Sequence, residues 1–338
     1  MSYLRKADRR AGSWTDRGPA RYDARVSTAT SLDRPADFSG RRARYRVVRH
    51  PEHERLYHVA VDADVLRAFF AAWAHVDHQN LEYVPYMRFM LAKGLDELAG
   101  DGFGDTLRAI VRDRATGGFT IGAEGVTSDP DDFVKLGTAV SATLGPANFD
   151  AMSGTYYARF TVEHTDASDS YLRQAYRPLT LHTDGTFVDE PTDWLLMMKF
   201  AERNARGGET RLLHLDDWAE LARYSEHPLA MRDLTYKAPA SKNVSVPMKR
   251  RTFFDAGGRP GIRFIDQFVH PETIEEAAYL HDMLASAEAD PATRAVPLPA
   301  GDLIVLANAF WLHGRAAFEP HPELHRELMR QRGRFSPR

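Results

Sequence analysis

The spacing of apolar and polar residues differs from one part of the chain to another. Residues 1–45 are rich in Arg, Asp, Ser and Gly and contain hardly any neighbouring apolar residues, which is typical of a mobile arm or of a segment that lies over a partner subunit. The remaining residues, 46–338, have enough regular hydrophobic spacing for a single domain. Within it, helical spacing dominates at about 57–145, and short strand-like runs follow over about 146–338.

In the first part of this domain, apolar residues recur every three or four positions. This spacing predicts helices at 65–73 and 89–98, within a mostly helical 57–107, and another at 131–145 that ends at a glycine. A short apolar run at 117–122 predicts a strand between them.

The second part is predicted to be built from short strands separated by turns. These strands are predicted at 156–162, 194–200, 210–213, 262–264, 303–306 and 327–335. Many short strands with turns between them favour a sandwich or barrel. We therefore expect an α+β fold with a mainly β core, a double-stranded β-helix (jelly roll) decorated by helices.

Composition narrows the function without fixing it. A chain of 338 residues can bury a sizeable core, and a net charge of −3 gives no general attraction to nucleic acid or anionic lipid. The absence of cysteine excludes disulfides and a thiol nucleophile. No run of about 18 apolar residues and no apolar export signal appear in the sequence. We therefore expect a cytoplasmic protein with a small-molecule partner, no nucleic acid and no membrane.

One His-x-Asp triplet has the context of a metal site. His182-Thr-Asp184 lies between a strand-like run and Gly185, and His313 follows far downstream. Two imidazoles and one carboxylate are the ligand set that holds non-haem Fe(II) on one face and leaves open positions for oxygen chemistry. These residues predict an iron site that the fold assembles. The alternative is a polar turn with a satisfied histidine.

Two other His-x-Asp triplets favour structural roles. His75-Val-Asp77 lies in a helix-like stretch, where residues two apart point to nearly opposite faces. His214-Leu-Asp216 precedes a helix-like run, so Asp216 or Asp217 is predicted to cap that helix.

Two further features concern binding. Gly207-Gly-Glu-Thr210 predicts a glycine hairpin turn that places a hydroxyl at the start of the next strand, although it is equally consistent with a turn alone. Near the C-terminus, Arg326, Arg330, Arg332 and Arg334 are evenly spaced, which puts them on one face of a regular strand. Because arginine binds carboxylates with a planar fork, the row indicates a dicarboxylate clamp. A solvent-exposed edge strand is the alternative.

These residues carry a family resemblance. The order of His-x-Asp, Gly-Gly-x-Thr, distal His and Arg resembles Fe(II)- and 2-oxoglutarate-dependent oxygenases of the taurine dioxygenase and clavaminate synthase type. Longer strings resemble the glutarate 2-hydroxylase family, also called the carbon-starvation-induced protein family. They lie at 149–160, 168–174, 195–199, 213–218, 241–245, 265–269, 310–315 and 327–333.

The resemblance implies roles for individual residues. His182, Asp184 and His313 match the iron ligands, which are the catalytic centre. Thr210 matches a hydroxyl that helps to hold a 2-oxoglutarate carboxylate. Arg326, Arg330 and Arg332 match the region that binds the distal carboxylates of 2-oxoglutarate and substrate, without deciding which arginine serves which.

The implied reaction uses Fe(II), 2-oxoglutarate and O2 to hydroxylate glutarate to L-2-hydroxyglutarate, with release of succinate and CO2, in lysine degradation. A homotetramer is also implied. Two alternatives stay open: an oxygenase of the same fold that acts on another small carboxylic acid, and a non-catalytic jelly roll that binds metal as a regulator.

Overall fold

The computed structural model describes residues 43–337 except 101, 124, 152, 166–173, 239–242 and 245. The predicted arm, 1–45, therefore lies almost wholly outside the described residues, although the first strand already begins at Tyr45. Seven α-helices occur in the described part of the chain. They are α1 (Ala63–Ala72), α2 (His78–Tyr83), α3 (Tyr86–Ala99), α4 (Phe103–Arg112), α5 (Pro130–Leu144), α6 (Leu221–Ser225) and α7 (Ile274–Ala289).

Most of the strands lie in the second half of the chain. They are β1 (Tyr45–His50), β2 (His53–Val61), β3 (Gly118–Gly122), β4 (Ala158–Glu163), β5 (Leu179–His182), β6 (Trp194–Arg203), β7 (Thr210–His214), β8 (Asp233–Tyr236), β9 (Met248–Arg251), β10 (Phe253–Asp255), β11 (Pro260–Ile262), β12 (Val269–His270), β13 (Arg294–Val296), β14 (Asp302–Ala307), β15 (Trp311–Arg315) and β16 (His325–Gly333).

Two sheets position the site. A seven-stranded sheet runs in the order β1-β2-β3-β14-β6-β16-β4, and a four-stranded sheet runs in the order β13-β7-β15-β5. Their pairings are antiparallel except that of β2 with β3. Apolar side chains of both sheets, such as Leu196 of the first and Leu212 of the second, belong to one buried cluster. This arrangement confirms the predicted jelly roll with added helices.

Helix α5 covers the outer face of the larger sheet. Residues 133–144 of this helix are all buried, and Gln331 of β16 donates a hydrogen bond to Thr138 at 3.0 Å. At Gly137 an added Cβ would lie 2.2 Å from the Met329 side chain, so only glycine allows this close approach. Because Met329 and Gln331 face α5, alternate residues of β16 must face the interior between the sheets.

Several predicted elements are confirmed and others are wrong. Strands β4, β6, β7 and β14 and helices α1, α3 and α5 lie where the spacing predicted them. The interpretation of 57–61 as helical is wrong, because these residues end β2, in which the buried positions His53, Leu56 and Val59 lie three apart. The strand predicted at 262–264 instead ends at Ile262.

Two local predictions also need correction. The glycine turn before Thr210 is not a hairpin, because β6 and β7 belong to different sheets. Asp216 and Asp217 do not cap the next helix. They lie in a 3-10 turn, Leu215–Asp217, while α6 begins later, at Leu221.

Candidate metal centre and its pocket

The three predicted iron ligands come together on the four-stranded sheet. His182 ends β5 and pairs in register with His313 of β15. Their ring centroids are 4.2 Å apart, and His313 Nε2 lies 3.8 Å from Asp184 Oδ2. All three side chains are buried. Residues far apart in the sequence thus meet because two antiparallel strands pair at this point.

The turn after β5 holds Asp184 in place. Gly185 has φ 75°, the left-handed region that favours glycine, and an added Cβ would lie 2.1 Å from Thr192 Oγ1. The buried Asn308 accepts a hydrogen bond from the Asp184 amide at 2.9 Å and donates to the Asp184 carbonyl at 3.0 Å. The side chain of Asn308 therefore holds both the amide and the carbonyl of Asp184.

Protonation of the site suits a divalent cation. His182 Nδ1 donates to the Thr180 carbonyl at 2.8 Å, which leaves Nε2 as the ligand atom. Burial, with His182 close by, lowers the pKa of His313 to about 3. Burial alone would raise the pKa of Asp184, but Arg330 and then His313 hold it well below its usual value. Neutral imidazoles and an ionised carboxylate are the forms that bind metal.

An unsatisfied polar atom points to a missing group at the same place. Asp184 Oδ2, which lies 3.8 Å from His313 Nε2, is buried without a hydrogen-bond partner. Within the described ranges, no three or more His, Cys, Asp or Glu side chains lie close enough together to hold a metal ion as they stand. The donor set therefore fits Fe(II) in residue type and in the unpaired Asp184 Oδ2, while the side chains are not drawn together into a coordination geometry.

Two neighbouring cavities, here called lobes, share residues of this site, since both are lined by His182, Asp184, Phe160 and Arg330. We call the first the Thr210 lobe; it also contains Thr210, Arg315 and Arg326. The second, the Arg332 lobe, is lined in addition by Arg332, Asp150, Ala151, Phe187, Val244, Ile265 and Phe268.

Each lobe contains a buried guanidinium with unsatisfied nitrogen atoms. Arg326 and Arg332 are each 4% exposed, and neither Arg326 Nε nor Arg332 Nε and Nη1 has a hydrogen-bond partner among the described residues. Burial lowers the pKa of Arg326 to about 10, and the nearby Arg315 adds to this. A buried cation without an anion is costly. Each lobe is thus built to receive an anion.

Arg330 differs from Arg326 and Arg332 because two carboxylates of the protein already accept hydrogen bonds from its guanidinium. Its Nη1 donates to Asp184 Oδ1 at 3.0 Å and its Nη2 to Asp150 Oδ2 at 2.7 Å. Arg334 lies beyond the end of β16 and is exposed. The prediction of four guanidiniums on one face was therefore wrong for Arg334. The exposed edge-strand alternative is also wrong, because β16 lies between β6 and β4.

Sequence reasoning missed three residues of this region. Arg315 lies two positions after His313 on the same strand, so strand alternation could have placed both on one face; its Nη2 donates to the Gln174 carbonyl at 2.6 Å. Asp150 and Asn308 lie outside the strands, where no periodicity indicates which way a side chain points.

The triplets at His75 and His214 have structural roles, although the details differ from the prediction: 75–77 lie between α1 and α2 and not inside a helix, and Asp216 is not a helix cap. Asp77 caps α2, and its side chain accepts a hydrogen bond from the Asn80 amide at 2.9 Å. Asp216 forms ion pairs with Arg114 at 2.7 Å and Arg259 at 2.9 Å. Its carboxylate is thus already neutralised by arginine.

Comparisons with known proteins agree with this picture. The model of the CsiD family matches residues 45–335. Glutarate 2-hydroxylases from Salmonella paratyphi B and Salmonella newport are each 44% identical over 303 residues, which covers 89% of this chain and 93% of theirs.

Solved structures show the same fold at low sequence identity. Asparagine oxygenase with Fe(II), 2S,3S-3-hydroxyasparagine and succinate has a TM-score of 0.64 at 15% identity, covering 82% of this chain and 93% of that one. The non-heme iron oxygenase OrfP with Fe and alpha-ketoglutaric acid has a TM-score of 0.61 at 19% identity, covering 80% and 91%. No helix in the described part of this chain is long and apolar enough to cross a membrane.

Proposed function

The chain belongs to the CsiD family, and from this membership we propose that it is a 2-oxoglutarate-dependent dioxygenase that hydroxylates glutarate to L-2-hydroxyglutarate. Glutarate, 2-oxoglutarate and O2 are consumed, and 2-hydroxyglutarate, succinate and CO2 are formed. The observation that carries the proposal is the pair of buried arginines, Arg326 and Arg332, one in each of the two lobes that share His182 and Asp184.

The two lobes suit two different dicarboxylates. Thr210 and Arg326 line the same lobe, so we assign both to the distal carboxylate of 2-oxoglutarate, where a hydroxyl and a fork can bind one anion together. Arg332 then remains for the far carboxylate of the substrate. Arg330 is already bound to two carboxylates, and we therefore assign it a positioning role at the boundary of the lobes.

The Arg332 lobe favours a diacid over an amino acid. Apart from the predicted ligand Asp184, its acidic lining residue is Asp150. Both oxygens of Asp150 are engaged, Oδ2 by Arg330 and Oδ1 by the Ser153 amide at 3.1 Å. An ammonium group in this lobe would therefore lack a free carboxylate, whereas a second carboxylate would satisfy Arg332.

His182, Asp184 and His313 are the residues that would hold Fe(II), which supplies the oxidising chemistry when 2-oxoglutarate and O2 are present. The protein's own contribution is to orient the substrate. Arg332 fixes one carboxylate, and the apolar walls of Phe187, Ile265 and Phe268 exclude water around the chain between the two acids. Holding one end in this way directs the hydroxyl to the carbon next to the other carboxylate.

Succinate formation from 2-oxoglutarate under Fe(II), ascorbate and O2 tests the proposal. It should be stimulated by glutarate more than by other C4 to C6 acids, and chiral chromatography should identify L-2-hydroxyglutarate. Preference for an amino acid or a sulfonate would leave the iron and 2-oxoglutarate assignments standing and would refute the glutarate assignment. Metal binding without consumption of 2-oxoglutarate would instead favour a regulatory jelly roll.

Three broader features complete the proposal. We propose that 46–338 form the single oxygenase domain with 1–45 as an arm, that the protein is a cytoplasmic homotetramer, and that it acts in lysine degradation. Light scattering coupled to size exclusion chromatography of the full chain, with and without 1–45, tests the tetramer and whether the arm contributes to it.

A further inference from the structure

Asp150 lies on a loop that is anchored to the strand bearing the arginines. The Asn148 amide donates to the Arg332 carbonyl at 2.8 Å, and Ala147 forms a bridge with Gly333. Asp150 itself closes a tight turn, because its amide donates to the Thr155 carbonyl at 2.6 Å and its side chain accepts from the Ser153 amide. The side chain is 4% exposed. Its position relative to Arg330 is thus set by backbone hydrogen bonds.

The guanidinium of Arg330 donates hydrogen bonds to two different carboxylates. One arm, Nη2, donates to Asp150 Oδ2, and the other, Nη1, donates to Asp184 Oδ1. Only one oxygen of Asp184 is therefore bound by arginine. The second, Oδ2, is buried without a partner and faces His313 Nε2 at 3.8 Å.

An arginine next to a lone carboxylate ordinarily binds it through both arms at once. If both arms of Arg330 closed on Asp184, both carboxylate oxygens would be occupied and a metal ion would have to compete with a guanidinium. We propose that Asp150 is a positioning residue that holds one arm of Arg330, so that Asp184 keeps Oδ2 free to bind the metal. This inference rests on the proposed function, because it takes Asp184 to be a metal ligand.

Two effects of removing the Asp150 charge act in the same direction. The released arm of Arg330 can turn towards Asp184, and the site loses a negative charge that favours a bound cation. Both weaken metal binding. Residues that orient metal ligands without touching the metal typically contribute 10–100-fold in affinity, so a loss of about 10-fold is expected for Asp150→Asn.

The test is the affinity of metal-free, full-length protein for Mn(II), read from the electron paramagnetic resonance signal of the free ion without 2-oxoglutarate. Asp150→Asn keeps the shape of the side chain, and Asp150→Ser keeps an acceptor for the Ser153 amide should the first variant fail to fold. Asp216→Asn is the matched control, because Asp216 is also a buried carboxylate held by arginines but lies outside the pocket lining.

A double-mutant cycle separates positioning from a general loss of stability. If Asp150 acts through Arg330, its substitution should weaken Mn(II) binding about 10-fold in the wild type and less than about 3-fold when Arg330→Gln is also present. The Mn(II) spectrum of the loaded protein should change in Asp150→Asn and not in Asp216→Asn. An undiminished effect in the Arg330→Gln background would overturn the proposal.

The outcomes also distinguish this inference from the proposed function. Wild-type Mn(II) affinity in the Asp150 variants, together with lost affinity in His313→Ala, would refute the role of Asp150 and keep the metal site. Unchanged affinity in His313→Ala as well would refute the metal site itself.

Discussion

The two buried triplets His182-Thr-Asp184 and His214-Leu-Asp216 share a sequence pattern and a position at the end of a strand, yet their surroundings differ. At the first, Asp184 Oδ2 has no partner and a second imidazole lies beside it. At the second, Asp216 is bound by Arg114 and Arg259, and His214 is packed against Trp311 and Phe310. The triplet alone therefore does not define a metal site. The free oxygen of Asp184 beside a second imidazole is what distinguishes the place where we propose that the metal binds.

The largest expected effect comes from removing ligands at the first triplet. His182→Ala, Asp184→Ala or His313→Ala should each abolish turnover, because three protein ligands leave none to spare. His214→Ala and Asp77→Ala should retain bound iron. Metal analysis and succinate assays of the five purified variants check this. Normal turnover in His313→Ala would mean that the triplet at His182 does not differ from the triplet at His214 in binding metal.

A smaller effect is expected at the arginines. Charged hydrogen bonds contribute about 1.5–3 kcal/mol, so Arg326→Ala should raise the apparent KM for 2-oxoglutarate by at least about 10-fold. Arg332→Ala should mainly raise the KM for glutarate. The exposed Arg334 offers the control, since Arg334→Ala should change neither constant. Wild-type constants in both buried variants would mean that the unsatisfied guanidiniums do not bind the dicarboxylates.

Substrate length should matter because the arginines are fixed in place. A shorter diacid leaves one buried charge unpaired and a monoacid lacks the second anion, so succinate, adipate and valerate should stimulate turnover at least about 10-fold less than glutarate. Competition assays at equal concentrations measure this preference. Equal rates with adipate and glutarate would show that the Arg332 lobe adapts to the length of its ligand.

The smallest effect concerns stability at the second triplet. Burial lowers the pKa of His214 to about 3 and that of His53 to about 4, so both are neutral when folded but take up protons on unfolding below about pH 6.5. Their stabilising contribution is complete above that pH and is lost as the pH falls towards 4 and 3. Urea unfolding of metal-free protein at pH 7.5, 6.5 and 5.5 should show a falling midpoint. The midpoint should fall less with pH in His214→Gln. An equal fall in this variant would contradict the conclusion that His214 is buried with a lowered pKa.

Elements and ligands with a repeating or strongly local signal could be predicted from the sequence. Strand β16 and helix α5 follow alternation and helical spacing, and Gly185 marks the turn beside Asp184. Residues 57–61 were misassigned because a half-buried strand next to a helix-rich stretch offers too few positions to reveal its period.

The contacts of the arginines could not be predicted. Spacing places Arg326, Arg330 and Arg332 on one face, but only the fold brings Asp150 from a loop to Arg330. Asp216 likewise resembles a helix cap in sequence, whereas Arg114 and Arg259 reach it from distant segments. Partners of buried charges depend on tertiary contacts, which no local pattern encodes.

Anomalous diffraction at the iron edge from crystals grown anaerobically with Fe(II) tests the central claim most directly. The account predicts one strong peak within bonding distance of His182 Nε2, Asp184 Oδ2 and His313 Nε2, and none at His214 or Asp216. A peak bound by other residues, or no peak at Asp184 in iron-loaded active protein, would contradict it.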